Sequence, residues 1–305
     1  MLLIDSATQT PSAGGNRKPG RNRTLLVLLI IVLVVGAAAA IVATALFFDP
    51  SLGVTKKSIT PYSTSVSSDS NNPSSLTVVD TNGGITVTPW SQNDLMINGT
   101  ATSRGFGTNP DAITYIETNT GRDIVFQAIF PAAVFLASAS YTVDLNVHVP
   151  ASAQFKSVQI STVNGDVQVS NINASNVALT DTNGAIQASG ITSTSLTLTD
   201  TNGNLDFNCN SCAAVTATTT NGALTANLAS LSLTGSYTMT STNGNVNLTL
   251  PTTASAKITA NTTNGSVSSS GLSVQITNHV TATLGTGTAT VTLTTTNGPI
   301  NVTGR

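Results

Sequence analysis

The chain has 305 residues, a formal net charge of −2 and 8% charged residues, where an ordinary soluble domain carries roughly 25%. Thr (52), Ser (34) and Asn (29) make up 115 residues, short polar side chains that favour strands and turns over helix interiors and speak against a helical enzyme. Lys and Arg form no stripe that would neutralise phosphates, so nucleic acid is excluded as a partner, and two Cys residues are too few for a disulfide scaffold or a four-ligand zinc site.

Residues 1–24 hold Arg17, Lys18, Arg21 and Arg23 against the single Asp5. Residues 25–48, LLVLLIIVLVVGAAAAIVATALFF, then run without a charge, and a helix rising 1.5 Å per residue over that length reaches the roughly 30 Å of a bilayer's hydrocarbon. A transmembrane helix is therefore expected over 25–48. The positive-inside rule makes 1–24 a basic cytoplasmic tail and puts everything after Phe48 outside the cell membrane, as a single-pass protein. The rival reading is a cleaved signal peptide, with Ala43-Thr44-Ala45 as the small-residue site and Leu25 to Val35 as its apolar region. The apolar run continues through Phe48, longer than such a region usually is, and favours the anchor. Residues 49–75 are rich in Ser, Thr, Pro and Asn without a sustained period, and are expected to be a tether with no fold of their own.

From residue 76 onward an internal repeat dominates. Asn-Gly occurs at Asn82-Gly83, Asn164-Gly165, Asn183-Gly184, Asn202-Gly203, Asn221-Gly222, Asn243-Gly244, Asn264-Gly265 and Asn297-Gly298. From Asn164 the spacings are 19, 19, 19, 22 and 21 residues, followed by a gap of 33. Six and four residues before each Asn stand apolar pairs such as Val177/Leu179 and Leu196/Leu198. Three residues after it stand Val167, Ile186, Leu205, Leu224, Val246, Val267 and Ile300, and five after it an apolar residue in all but Ser269. Alternation on both sides of a turn means two short strands with one face buried.

Asn-Gly between such strands is also the strongest short-range hairpin signal, so a meander of hairpins is the competing fold. One turn recurring with one inward set every ~20 residues instead favours rungs stacked at strand spacing. The fold expected is all-β: a single-stranded β-helix or β-solenoid over 76–305, regular over 151–305, in which the Asn side chains form an amide ladder and each Gly takes a positive φ at the corner. Between the first unit and the regular array lie the strand-like runs 94–102, 112–118, 122–130 and 141–150. Thr118-Asn119-Thr120-Gly121 reads as a hairpin turn, and this part is expected to close the membrane-proximal end of the stack.

The order of YTVDLNVHVP, FKSVQISTVNGDVQVSNI, repeated T-N-G units and late NVNLTLP, together with the opening SLTVVDTNGGITVTPWSQNDLMINGTAT, resembles the putative-adhesin family of β-strand-repeat (T-N-G repeat) envelope proteins over about residues 75–305. The resemblance implies a β-helical envelope domain of unknown function, often tethered to a membrane helix, and brings no catalytic residues.

Few residues invite chemistry. Asp181 and Asp200 stand two residues before the Asn of adjacent units, so stacking brings their carboxylates roughly 5 Å apart. They either share a proton or a cation, or accept the turn's backbone amides as Asx caps, with Thr219, Ser241, Thr262 and Thr295 filling that role by hydroxyl. Cys209 and Cys212 are expected to form a local disulfide, permitted outside the cytoplasm. His148 and His279 lack any nucleophile motif and read as surface strand residues, and Trp90 as a packing residue near the cap. The sequons at Asn98, Asn173, Asn247, Asn261, Asn264 and Asn301 are of a number expected by chance in a chain this rich in Asn and Thr.

No catalytic, metal or cofactor site is thus expected. The function expected is a non-catalytic, membrane-anchored, adhesin-like surface domain held by residues 25–48, with an envelope protein or a glycan as partner. An envelope sensor with a ligand-binding outer domain, or a polysaccharide-active β-helix enzyme, are the alternatives.

Overall fold

The computed structural model describes residues 53–67, 69–105, 108–132 and 139–305. The expected basic tail and the apolar segment 25–48 lie outside the described residues. Among the described residues no helix is long and apolar enough to cross a membrane, and the architecture is all-β apart from a single 3₁₀ turn at Pro110–Ala112.

Each Asn-Gly unit is a rung of two short strands meeting at a corner. Before the corner, Asn173–Thr180 lies parallel to both Phe155–Ser161 and the later half of Ile186–Thr199, with Val177 opposite Val158 on one side and Leu196 on the other. Leu196 in turn faces Val215. After the corner, Ile186 lies between Val167 and Leu205, and Leu205 faces Leu224. Every one of these pairings is parallel, whereas a hairpin meander demands antiparallel neighbours. The Asn-Gly pairs therefore turn the chain from one column of strands to the other instead of reversing it, and the result is a solenoid-like sheet.

The period-two alternation points one set of side chains inward from both columns. Val158, Ile160, Val167, Val177, Leu179, Ile186, Leu196, Leu198, Leu205 and Val215 are all at most 1% exposed. The alternate positions carry Thr, Ser, Asn and Gln to solvent. At about 1.5–3 kcal/mol for each fully buried side chain, the apolar column offsets the ordering entropy of each rung only because its neighbours close it above and below.

The stack departs from chain order at its C-terminal end. Leu231–Asn243 pairs not with the next unit but with Ala289–Asn297, which pairs on its other side with Ala256–Asn264. The Asn297 rung is thus inserted between the Asn243 and Asn264 rungs. The 33-residue gap is accounted for by a detour: after Val267–Ser270 the chain leaves the stack, and Thr281–Leu284 runs antiparallel along the outer edge of Ala256–Asn264 before the chain enters the open slot.

The other end is also built from non-consecutive pieces. Ser74–Val79 lies between Phe155–Ser161 and Asp123–Ile129, and Ile85–Trp90 between Val167–Ser170 and Ser140–Pro150. Asp123–Ile129 and Ser140–Pro150 thus stack on the first unit as a rung with no Asn-Gly. Antiparallel strands then finish both columns. Thr114–Thr120 forms a hairpin with Asp123–Ile129 through Gly121 and Arg122, both at positive φ (59° and 80°) as a primed turn requires. Asp94–Arg104 runs antiparallel to Ser140–Pro150.

The tether expected over 49–75 is corrected here, because Val54–Ser65 is a strand paired antiparallel with Asp94–Arg104. Its sequence hides this. An outermost strand needs only backbone pairing, so of VTKKSITPYSTS Ile59 alone is buried. Pro61, which has no N–H to give, sits where the register shifts between Ile59 and Tyr62.

The stacked column at Leu196 and Val215 makes a quantitative expectation. Leu196→Ala and Val215→Ala combined in a double-mutant cycle should show a coupling of about 0.5 kcal/mol or more, as residues in contact do. Additive losses in chemical denaturation would contradict direct stacking.

Candidate functional site

The feature shared by the eight Asn-Gly rungs is the corner itself, and it forms three parallel columns. On the outside, the Asn side chains make a continuous ladder. Asn164 Nδ2 donates to Asn82 Oδ1, Asn183 to Asn164, Asn202 to Asn183, Asn221 to Asn202, Asn243 to Asn221, Asn297 to Asn243 and Asn264 to Asn297, seven bonds of 2.6–2.9 Å. An amide offers both donor and acceptor, so every interior rung is satisfied from both sides. The ladder follows the spatial order, with Asn297 between Asn243 and Asn264.

The second column is the glycines. A Cβ placed on Gly165, Gly184, Gly203, Gly222 or Gly244 would overlap the carbonyl oxygen of the corner Gly in the preceding unit. One on Gly298 would overlap that of Gly244, and one on Gly265 that of Gly298. This corrects the expected reason for glycine. Only Gly83, Gly165 and Gly298 have φ between +135° and +154°, while Gly184, Gly203, Gly222, Gly244 and Gly265 do not lie at positive φ. Glycine is needed here because one backbone passes directly over the next.

The third column lies inside the corner, two residues before each Asn, and in spatial order it reads Asp80, Thr162, Asp181, Asp200, Thr219, Ser241, Thr295 and Thr262. All are at most 2% exposed. Asp181 Oδ1 accepts the amides of Thr182 (2.6 Å) and Asn183 (3.3 Å), and Asp200 Oδ1 those of Thr201 (2.6 Å) and Asn202 (3.2 Å). The hydroxyls behave differently from the caps expected of them. Thr219 Oγ1 donates to Gly203 O (3.0 Å), Ser241 Oγ to Gly222 O (2.9 Å), Thr295 Oγ1 to Gly244 O (2.9 Å) and Thr262 Oγ1 to Gly298 O (2.9 Å), each reaching across to the neighbouring rung. Thr162 does the same to Gly83 O (3.2 Å).

Burial pushes the Asp181 carboxyl up to about 6, with the charges of Asp200 and Asp166 adding to it, and raises that of Asp200. Asp80, passed over in the sequence although it precedes Asn82 as Asp181 precedes Asn183, is pushed up to about 7 by burial, with Asp144 adding. Among the described residues no group of three or more His, Cys, Asp or Glu is placed to hold a metal ion.

Cys209 and Cys212 are joined by a disulfide and buried. They close the far corner of their rung, where the chain passes from Leu205–Cys209 to the next pre-corner strand. Tyr237, fully buried, donates its hydroxyl to Cys212 O and accepts the Ser232 amide, both at 2.8 Å. His148 and His279 are not brought together. His148 stacks on Trp90 with ring centroids 5.3 Å apart and its Nδ1 lies 3.3 Å from Thr88 Oγ1, so this pair packs at one end of the post-corner column.

The outward face of that column is a second periodic surface. Thr86, Gln168, Gln187 and Asp206 stand in register on adjacent strands, and with Thr88 and Asn208 they line a groove of about 250 Å³. The row continues through Thr225, Asn247 and Asn301, where Asn301 Nδ2 donates to Asn247 Oδ1 at 2.9 Å.

Comparison with known proteins gives one family, Toastrack DUF4097, whose model matches residues 55–303. Solved structures similar to the chain include a putative cell adhesion protein from Clostridium sporogenes ATCC 15579 (TM-score 0.36, 11% identity, 82% of this chain and 100% of that one). Others are a putative adhesin from Bacteroides fragilis NCTC 9343 (0.40, 13%, 83% and 98%) and a putative adhesin from Parabacteroides merdae ATCC 43184 (0.39, 9%, 83% and 97%). No curated protein matches.

Space and conformation are separable as reasons for glycine. Gly121 lies at φ +59° with nothing within 4 Å of an added Cβ, so Gly121→Ala should cost about 1–2 kcal/mol of left-handed strain. Gly203→Ala should cost about 3 kcal/mol or more, because backbone rather than a movable side chain fills the space. The reverse ranking in thermal or urea unfolding would contradict the stacked-backbone account.

Proposed function

This chain belongs to the Toastrack family, DUF4097, and on that premise we propose that it is a non-catalytic, adhesin-like surface domain. In this reading residues 25–48 anchor it in the cell membrane, with residues 1–24 cytoplasmic and the repeat domain displayed outside. The observation that carries the proposal is the continuous outward polar row from Thr86 to Asn301, set at strand spacing on a sheet whose rungs are locked by the Asn ladder. A row of amides and hydroxyls whose one charged member is Asp206 offers donors and acceptors at a regular repeat. It suits a partner of the same kind, a polar envelope protein or a glycan, far better than it suits an anion or an apolar ligand.

Display also explains the economy of charge. A surface that binds by many neutral hydrogen bonds is insensitive to ionic strength, unlike one built on ion pairs. Among the described residues the only ion pair, Lys57 with Asp111, lies away from this row.

Two measurements test the reading. Protease added to intact cells should remove a C-terminal tag and spare an N-terminal one, and the opposite result would overturn the topology. Cells displaying the chain should attach to glycan-coated or envelope-coated surfaces more than cells displaying a Gln168→Ala/Gln187→Ala/Asn301→Ala variant. Equal attachment at equal display would overturn the role of the polar row.

A further inference from the structure

The inner corner column repeats one bond with two kinds of side chain. In five rungs a Thr or Ser hydroxyl donates to the carbonyl oxygen of the neighbouring rung's corner Gly, at 2.9–3.2 Å. The corner carbonyls of Gly165 and Gly184 meet no such hydroxyl, because the residues that face them are Asp181 and Asp200.

The geometry of those two rungs matches the hydroxyl rungs. A Cβ on Gly265 would lie against Gly298 O and Thr262 Oγ1, a pair that is hydrogen-bonded. On Gly184 the same Cβ would lie against Gly165 O and Asp181 Oδ2, and on Gly203 against Gly184 O and Asp200 Oδ2. The outer carboxyl oxygen thus stands where the hydroxyl stands elsewhere. Oδ1 of each Asp is engaged by two turn amides, while Oδ2 is buried and has no hydrogen-bond partner. If ionised, that oxygen would be an acceptor set against a carbonyl acceptor in a closed space, which is unfavourable twice over.

We propose that Asp181 and Asp200 are neutral carboxylic acids in the folded chain, each donating its Oδ2 proton to the corner carbonyl of the neighbouring rung, Gly165 and Gly184 respectively, so that the stack is a proton-dependent structure. The carboxylic acid replaces the Thr hydroxyl in the column and in addition caps the turn amides, which a hydroxyl in this column does not do. Raising the pH removes the donor and puts a charge into the corner, loosening the contact between rungs.

The charged surroundings do nothing to oppose this. The titratable groups facing Asp181 are Asp166 and Asp200, and those facing Asp80 are Asp144 and Tyr115, all of them acids. None of the three buried carboxyls has a basic partner, Lys57 with Asp111 being the only ion pair among the described residues. The sign of the linkage follows. A carboxyl whose folded pKa lies above its unfolded value binds its proton more tightly in the folded state. Its contribution is complete below the unfolded value near 3.8 and is lost as pH rises through about 6 for Asp181, and through about 7 for Asp80.

The test is thermal unfolding of the full-length chain between about pH 4.5 and about pH 7.5, for the native protein and for Asp181→Asn/Asp200→Asn, whose amide nitrogen donates at every pH. The native Tm should fall by several degrees as pH rises. The double variant should melt several degrees higher than the native chain at the upper pH and should lose the share of the slope due to Asp181 and Asp200, keeping the share due to Asp80. Asp181→Thr and Asp200→Thr, which copy the hydroxyl rungs, provide a second pair of variants if the Asn pair does not fold. Infrared spectra of protein carrying ¹³C-labelled Asp should show protonated carboxyl bands at pH about 5 that are weakened in the variants to the part due to Asp80. A native Tm that rises with pH, or a slope unchanged in the variants, would overturn the proposal. So would a calcium-dependent rise in the native Tm at the upper pH that the variants lack, since the carboxyls would then hold a cation in place of a proton.

Discussion

Along the column of Asn-Gly corners one glycine backbone passes over the next, too close for any side chain between them, and the rest of the structure depends on that approach. It brings the preceding Asn residues close enough for an amide ladder outside the corner and aligns the hydroxyls and carboxyls inside it. The apolar columns fall into register because both strands of a rung leave a fixed corner. Each part reinforces the others: the ladder's bonds are worth about 0.5–1.5 kcal/mol apiece, and they are formed only when the backbones stack. Spatial order obeys the corner more strictly than it obeys the chain, as the insertion of the Asn297 rung between those of Asn243 and Asn264 demonstrates.

Much of this was legible in the residues, for a definite physical reason. A stacked repeat writes its geometry into the sequence once per rung, so the inward positions, the Asn ladder and the pairing of Val177 with Leu196 and of Leu196 with Val215 all follow from alignment of the units. What failed to show is what occurs once. Val54–Ser65 is an outer strand with one buried apolar residue, and backbone pairing leaves no period in such a segment. The detour through Thr281–Leu284 is an antiparallel pairing along the outer edge of a distant strand, and no local pattern records it.

Two kinds of corner residue, the glycines and the hydroxyls inside the corner, have roles that the sequence does not reveal, again for a physical reason. Asn-Gly is a general signal for positive φ, and nothing in one unit distinguishes a glycine that needs unusual torsion from one that needs empty space above it. The distinction between rungs with Asp and rungs with Thr is likewise invisible until the carbonyl on the neighbouring rung is seen. Once it is seen, seven of the eight positions in the column form a single device in which, on the proposed protonation, each side chain donates to a corner carbonyl, and the polar outer row of the post-corner strands rests on a frame whose rigidity varies with that donor. The proposed display and the proposed proton dependence would thereby be connected through the same stack.

The insertion of the last unit is the most direct sign that the corners govern the stacking order, and cross-linking measures it. Thr240, Thr294 and Asn261 lie in one column in that order, Thr294 facing each of the other two. Cysteines introduced pairwise at these positions should oxidise to a disulfide for Thr240→Cys with Thr294→Cys and for Thr294→Cys with Asn261→Cys, since facing residues lie within the reach of about 4.4–6.8 Å between Cα atoms. Thr240→Cys with Asn261→Cys, separated by a whole rung, should stay reduced. Efficient cross-linking of that last pair, with none between Thr240→Cys and Thr294→Cys, would show the units stacked in chain order and contradict the account.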